Sequence, residues 1–211
     1  MLEFLGQSLI LIAFGLASPF GVNVGIEEPK YQVVQKLGDG VEIREYEGRI
    51  AAETVMAATD PDRARSEGFD VIARYIFGGN QKRQSIAMTS PVEMQQGGTA
   101  IAMTTPVEVK NGGGTMAMRF FMPASYRMDS LPLPTDSRVR LVELPRTRQA
   151  VLRFTGSTSD AAIAEKTQLL LAALKTSSWS AAGQTSAYLY NPPWTLPFLR
   201  RNEVMVEVAA K

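Results

Sequence analysis

Apolar and polar residues alternate along Val41-Glu-Ile-Arg-Glu-Tyr46, the period-2 pattern of a strand with one buried face. A second β-prone run, Ile50–Ala57, follows the Glu47-Gly48 turn. The period then changes. Asp60-Pro61 supplies a capping side chain and a proline for the first helical position, and Phe69, Ile72 and Ile76 recur at helical spacing. Gly78-Gly79-Asn80 stops that helix. The plan returns 98 residues on, where Val139-Arg-Leu-Val-Glu-Leu144 repeats the alternation with Glu143 over Glu45. Ala150–Thr155 follows as a strand. A second helix opens at Ser159-Asp160, with Ile163, Thr167, Leu170 and Leu174 along one face. Thr115–Met122 and Asn202–Val208 read as strands closing the two halves. Neither β-β-α-β unit can bury its helix face alone. Together they predict an α+β domain in which two halves share a closed or nearly closed antiparallel sheet carrying two helices.

One segment is written twice inside the first half. Ile86-Ala-Met-Thr-Ser-Pro-Val-Glu-Met94 recurs as Ile101-Ala-Met-Thr-Thr-Pro-Val-Glu-Val109. In each copy the alternate positions share a face: Ile86, Met88, Ser90, Val92 and Met94, then Ile101, Met103, Thr105, Val107 and Val109. Turn-rich stretches separate the copies from each other and from Thr115–Met122, so the three read as a meander. Pro91 and Pro106 cannot donate a ladder hydrogen bond and belong at an edge or a bulge. Two readings stand side by side: a core face with a lengthened hairpin, or the adaptable wall of a flat apolar pocket, since thioethers fit irregular surfaces.

The N-terminus follows no such period. Phe4 to Ile26 carries no charged side chain, and Ser8–Ala17 has the length of a signal-peptide apolar region. The whole stretch approaches the roughly 20 residues that span a bilayer. Residues 1–28 are therefore expected to be a secretory signal or a membrane anchor with its linker, with a merely apolar N-terminal arm as a third reading. All three leave residues 29–211 as the folded domain, and the first two predict an exported or tethered protein outside the cytoplasm, in the periplasm.

Composition narrows the chemistry. The 211 residues include no Cys and no His, and the net charge is +1. Disulfides, thiolate metal sites, cysteine nucleophiles, Ser-His-Asp catalysis and histidine ligation of zinc or haem are excluded. No metal site is expected, and the charge balance gives nothing to recruit nucleic acid.

Tyr75-Ile-Phe-Gly-Gly-Asn80 followed by Ile86-Ala-Met-Thr-Ser-Pro-Val92 resembles the SOUL haem-binding protein family. So do Met118-Arg-Phe-Phe-Met-Pro123, Asn191-Pro-Pro-Trp194 and Arg200-Arg-Asn-Glu-Val204, while Tyr31-Gln-Val-Val and Val41–Tyr46 fit the family's opening strands. The likeness runs from Lys30 to Val208. It implies a distorted antiparallel β-barrel flanked by two helices and built from two pseudo-symmetric halves, an architecture shared with gyrase-inhibitor-like ligand-binding domains.

It further implies a non-enzymatic protein that buffers or carries haem or another tetrapyrrole in an apolar cleft beside the first helix. Arg74 matches the basic residue thought to meet a propionate, and Phe69 and Ala73 match positions lining the cleft. Met88 and Met103 of the repeat would supply the adaptable wall. The bland alternatives are an Asp70–Arg74 pair on a solvated helix face and an ordinary helix core for Phe69 and Ala73. A second basic residue of the family, near the Pro-Pro turn, has no counterpart, because Thr195-Leu196 stands there. Arg200 and Arg201 are expected to fix the turn before the last strand. A gyrase-inhibitor-like small-molecule-binding or hydrolytic domain is the alternative, with Glu45, Glu143, Tyr46 and Tyr188 as the available groups. Docking of a protein partner through Asn191–Pro197 is a third reading.

Overall fold

The computed structural model describes residues 25–97 and 114–211. Met103, the whole second copy of the repeat and all but the end of the uncharged N-terminal stretch lie outside them. The alternating stretches become strands β1 (Tyr31–Lys36), β2 (Val41–Tyr46), β3 (Arg49–Ala57), β4 (Val92–Gln96), β5 (Thr115–Phe121), β6 (Arg140–Leu144), β7 (Thr147–Phe154), β8 (Trp179–Leu189) and β9 (Asn202–Ala210). Two helices accompany them, α1 (Pro61–Ile76) and α2 (Asp160–Lys175). Both start as the sequence predicts: Asp60 accepts from the Arg63 amide at 3.1 Å, and Ser159 from the Ala162 amide at 3.4 Å.

The strands form one antiparallel sheet in the order β1-β2-β7-β9-β8-β4-β5-β3-β6. Its ends, β1 and β6, do not pair, so the sheet is open. The expected barrel is thus a curved sheet with two edges rather than a closed cylinder.

Each half has handed its first strand to the other. β2 pairs with β7, and β6 pairs with β3. The registers agree to the residue: Glu42 faces Val151 as Arg140 faces Glu53, and Tyr46 faces Thr147 as Leu144 faces Arg49. Every one of these pairs maps onto its counterpart by the same 98-residue shift. The halves meet where β4 pairs with β8, with Met94 opposite Ala187. The sequence reading missed β8. Its first part, Ser180–Gln184, is small, polar and solvent-facing, with a register shift between Ala181 and Thr185. Only pairing with β9 and β4 makes it a strand.

Both helices cover one face of the sheet, α1 over β3 and β5, α2 over β7, β8 and β9. Under α1 lie Ile72, Ile76, Met94, Met116, Met118, Phe120 and Met122. Ile86 is buried there too, with Met88 and Val92 packed against it, so the first copy of the repeat presents the face predicted for it. Only its second part is a strand. Pro91 is the residue before β4 and follows a cis peptide bond, while Ser90 turns away to donate to the Tyr190 carbonyl at 3.1 Å. Under α2 the core is Val41, Ile43, Leu152, Leu170, Leu174, Val204, Val206 and Val208. Ile163 packs against both cores, and Arg65 of α1 donates to Asp160 of α2 at 2.5 Å.

Candidate functional site

The end of α1 is closed by three backbone hydrogen bonds, Phe77 amide to Ala73 carbonyl at 2.9 Å, Gly78 amide to Tyr75 carbonyl at 3.4 Å and Gly79 amide to Arg74 carbonyl at 2.7 Å. Gly78 takes φ +104°, where a side chain would be strained, and a Cβ on Gly79 would lie 2.6 Å from the Arg74 oxygen. The two glycines are therefore what lets the helix end so tightly. Asn80, buried, ties the turn further by donating to the carbonyls of Tyr75 and Gln84. Leu133 is strapped to the same turn, its carbonyl accepting from the Gln81 amide and Thr135 donating to the Gly79 carbonyl.

Arg74 is left exposed on this end. Among the described residues it has no ion-pair partner, and the Asp70–Arg74 pair does not form. Its charge still reaches Asp136, whose carboxyl is held below its ordinary range chiefly by hydrogen bonds from Arg138 and to a lesser degree by Arg74. Two apolar side chains stand out nearby, Phe77 at 39% and Leu133 at 57% exposure. The other residues singled out from sequence are placed differently. Phe69 is half-buried with its ring 5.2 Å from that of Phe120, and Ala73 is only 4% exposed. Both sit in the core under α1. Met88 is half-buried at the margin of that core. Phe77 and Leu133 were not anticipated, although Phe77 follows Arg74 by three positions and so falls on the same side of the helix.

A groove of about 940 Å³ opens on the far side of the Ile86–Ser90 segment, with Thr89 on its wall. Ile50, Phe121, Met122 and Leu144 give it an apolar floor. Its rim carries Glu27, Glu28, Glu47, Asp129 and Glu143 against Lys30, Arg49 and Arg127, so acids outnumber bases. A second cavity, of about 430 Å³, lies beside α2, and a third, of about 190 Å³, lies over the helix-free face of the sheet.

That helix-free face holds a feature the sequence did not announce. Arg140, Glu53, Arg119, Glu93, Tyr188, Glu203 and Arg153 lie directly opposite one another on successive strands, one row across seven strands. Glu53 accepts from Arg140 and Arg119 at 2.7 Å each. Glu203, with no exposed surface, accepts from Arg44 at 3.0 Å, Arg201 at 3.1 Å and Tyr190 at 2.8 Å. Burial opposes the charge on Arg44 most strongly, yet Glu203, Tyr46 and Glu42 together outweigh it and the guanidinium holds its proton above the ordinary value. Burial and then Glu203 push the phenols of Tyr46, to about 12, and Tyr190 upward. Burial and then Glu93 do the same to Tyr188. The only hint in sequence was a lone acid between uncharged neighbours, as in Ala52-Glu-Thr and Asn202-Glu-Val.

Of the groups considered for catalysis, Tyr46 and Tyr188 belong to this face. Glu45 instead faces the helix side, bonded by Arg146 and Arg148, with its carboxyl held below its ordinary range chiefly by the Arg146 bond. Glu143 is exposed on the groove rim. The four are not brought together. Arg200 and Arg201 do fix the last turn: Arg200 donates to the Thr195 and Pro193 carbonyls, and the Arg201 amide to Asn191. No group of three or more acidic residues among the described residues is arranged to hold a metal ion.

Residues 26–207 match the model of the SOUL heme-binding protein family, and the chain belongs to that family. It is 28% identical over 183 residues to Heme-binding protein 1 of Xenopus laevis, covering 85% of this chain and 91% of the relative. The Xenopus tropicalis protein of the same name is also 28% identical, over 186 residues with the same coverage. Among solved structures, the fold is similar to the EcmrR C-terminal domain (TM-score 0.58, 8% identity, 86% of this chain and 99% of that one). It is also similar to a hydrolase encoded by lin2189 of Listeria innocua (TM-score 0.51, 10% identity, 82% and 93%). At those identities the likeness is one of fold alone.

Proposed function

We propose that this protein binds haem or a related tetrapyrrole without catalysing a reaction on it, and buffers or carries it. Membership of the family across residues 26–207 carries the reading. The end of α1 is the place that fits a carboxylate-bearing macrocycle: Arg74 offers a planar fork with no ion-pair partner among the described residues, beside exposed Phe77 and Leu133. Met88 and Phe69 pack against the core that α1 covers, and Ala73 is buried beside Arg74 in the helix. With no His or Cys in the chain, apolar contact and the propionates do the holding. Burying a few hundred Å² of macrocycle at about 25 cal/mol per Å² gives roughly 5–10 kcal/mol, and association consumes much of that. Binding is then micromolar or weaker, and nearly indifferent to the metal.

The open groove is the second reading, favoured by its volume of about 940 Å³, at the upper end of the roughly 300–1,000 Å³ of ordinary ligand sites. Its acid-rich rim disfavours a ligand with two propionates, which is why the helix end is preferred. Titration of haemin and protoporphyrin IX, followed by the Soret band and tryptophan quenching, tests both. The expected result is saturable binding of similar strength for the two, weakened about fivefold by Arg74→Ala, the size of an exposed charge contact, and unchanged by Ala124→Trp in the groove. Loss of binding with Ala124→Trp alone moves the site to the groove. No saturable response to either ligand at tens of micromolar ends the proposal.

A further inference from the structure

Among the described residues nine large hydrophobic side chains are exposed, and four of them crowd into one short loop between β8 and β9: Trp194 at 43%, Leu196 at 44%, Phe198 at 70% and Leu199 at 39%. The other five are Val33 and Val34 on β1, Phe77 and Leu133 at the end of α1, and Leu169 on α2. A concentration of this kind on an otherwise polar surface marks something that covers it.

The loop is also built to leave water. Pro192, Pro193 and Pro197 have no amide to satisfy. Five of its carbonyls are satisfied from within: Pro192 by the Thr195 amide, Pro193 and Thr195 by the Arg200 guanidinium, Leu196 by the Leu199 amide, and Pro197 by the amides of Gly156 and Arg200. Thr195, the polar side chain at its centre, is turned inward and 1% exposed. No charged residue lies between Asn191 and Arg200, and Arg200 points back into the loop. An apolar tip with much of its backbone satisfied from within suits a low-polarity medium, and tryptophan favours the boundary between lipid and water.

The position of the loop says which medium. The uncharged run from Phe4 to Ile26 ends at its base. Glu27 bridges to Thr89 and its carbonyl accepts from the Ser90 amide; Ser90 in turn donates to the Tyr190 carbonyl. Glu28 pairs with Arg201 at 2.8 Å. The described end of that run, Gly25-Ile26, thus leads into the corner of the molecule from which the loop rises. No described helix is long and apolar enough to cross a membrane.

We infer that the Pro192–Leu199 loop seats in the headgroup–acyl boundary of a lipid bilayer, next to the N-terminal apolar stretch, and so fixes how the domain stands on the membrane. The contact is apolar. It needs no anionic lipid and is insensitive to salt. It is independent of what the domain binds.

The test uses the full chain with phosphatidylcholine vesicles, plain or carrying bromine high on the acyl chains. The tryptophan signal lost in Trp194→Phe reports the loop separately from Trp179. On plain vesicles that component is expected to shift to shorter wavelength, and bromolipid is expected to quench it roughly twofold or more. Phe198→Ser with Leu196→Ser, both on exposed positions, should keep the far-ultraviolet circular dichroism while abolishing the quenching. A Trp194 component untouched by bromolipid overturns the inference, whether iodide in the water reaches it or a second copy or residues 1–24 cover it. So does failure of the full chain to sediment with vesicles.

Discussion

The two halves of this protein share a backbone plan and a register but not a chemistry. The core under α2 is branched and aliphatic, with Val204, Val206, Val208 and Leu170 nearly or wholly buried and no methionine among its members. The core under α1 is thioether-rich, holding Met94, Met116, Met118 and Met122 with Met56 packed against it. Gly68 shows how far this has gone, since a Cβ there would collide with the end of Met56 and approach Met118. Unbranched side chains have filled the space that a larger helix residue occupies elsewhere. On the helix-free face the asymmetry is electrostatic. Glu203 on β9 is sealed, whereas the arginines around Glu53 on β3 retain 18% and 38% of their side-chain exposure. Strand pairing tolerates such divergence because it is made by the backbone; packing and charge are free to specialise within each half.

Breaking the two carboxylate clusters separately gives the largest expected contrast. Glu203→Leu strands the buried Arg44 guanidinium with Glu42 as its remaining acid and should cost roughly 3–5 kcal/mol in urea unfolding. Glu53→Leu should cost less, about 1–2 kcal/mol, because Arg119 and Arg140 can turn to water. Equal losses would mean that the two clusters are not different in kind.

Alkaline pH probes the same face. In the native state the Tyr46 phenol titrates near 12, raised by burial and then by Glu203, and in the unfolded chain near its ordinary 10. A raised native value means the folded form keeps the proton. The contribution to stability is therefore whole below pH 10 and lost as pH rises from 10 to 12, up to about 2–3 kcal/mol. Denaturant midpoints across that interval should fall, and Tyr46→Phe should make the fall shallower. Tyr75, in the α1 half and raised to about 12 by burial and then Tyr126, adds to the slope without contact with the carboxylate row.

The smallest effect sharpens the packing contrast. Met118→Leu should cost under about 1.5 kcal/mol, as volume-conserving swaps in adaptable cores do, while Val206→Met overfills the α2 core and should cost about 1–3 kcal/mol. A thermal-melt series comparing the two reads out which core is the stiffer.

The sequence made the backbone legible where apolar residues recur with a clear period or run. β2 and both helices were found from period and caps, and β3 and β7 as β-prone runs that bury residues on both faces of the sheet. β8 escaped, since half of it faces water and its pairing partners, not its letters, make it extended. The carboxylate row escaped for the complementary reason: alternation says which side chains leave the apolar core, but not that they enter a second, polar one. For the candidate site the sequence offered only a resemblance: Arg74 matches the family's basic residue before a Gly-Gly helix end, and nothing in its neighbourhood announced Leu133, which reaches that end from a loop more than fifty residues on.

The exchange of β2 and β6 has one more consequence. Neither half holds a full set of neighbours for its own strands, so the chain cannot be separated into two folding units between β5 and β6. A cut in the exposed turn around Ser125 would leave two interlocked pieces, each clasping a finger of the other, that part only when the whole sheet melts. The linker there is a convenience of synthesis; the joint itself is woven.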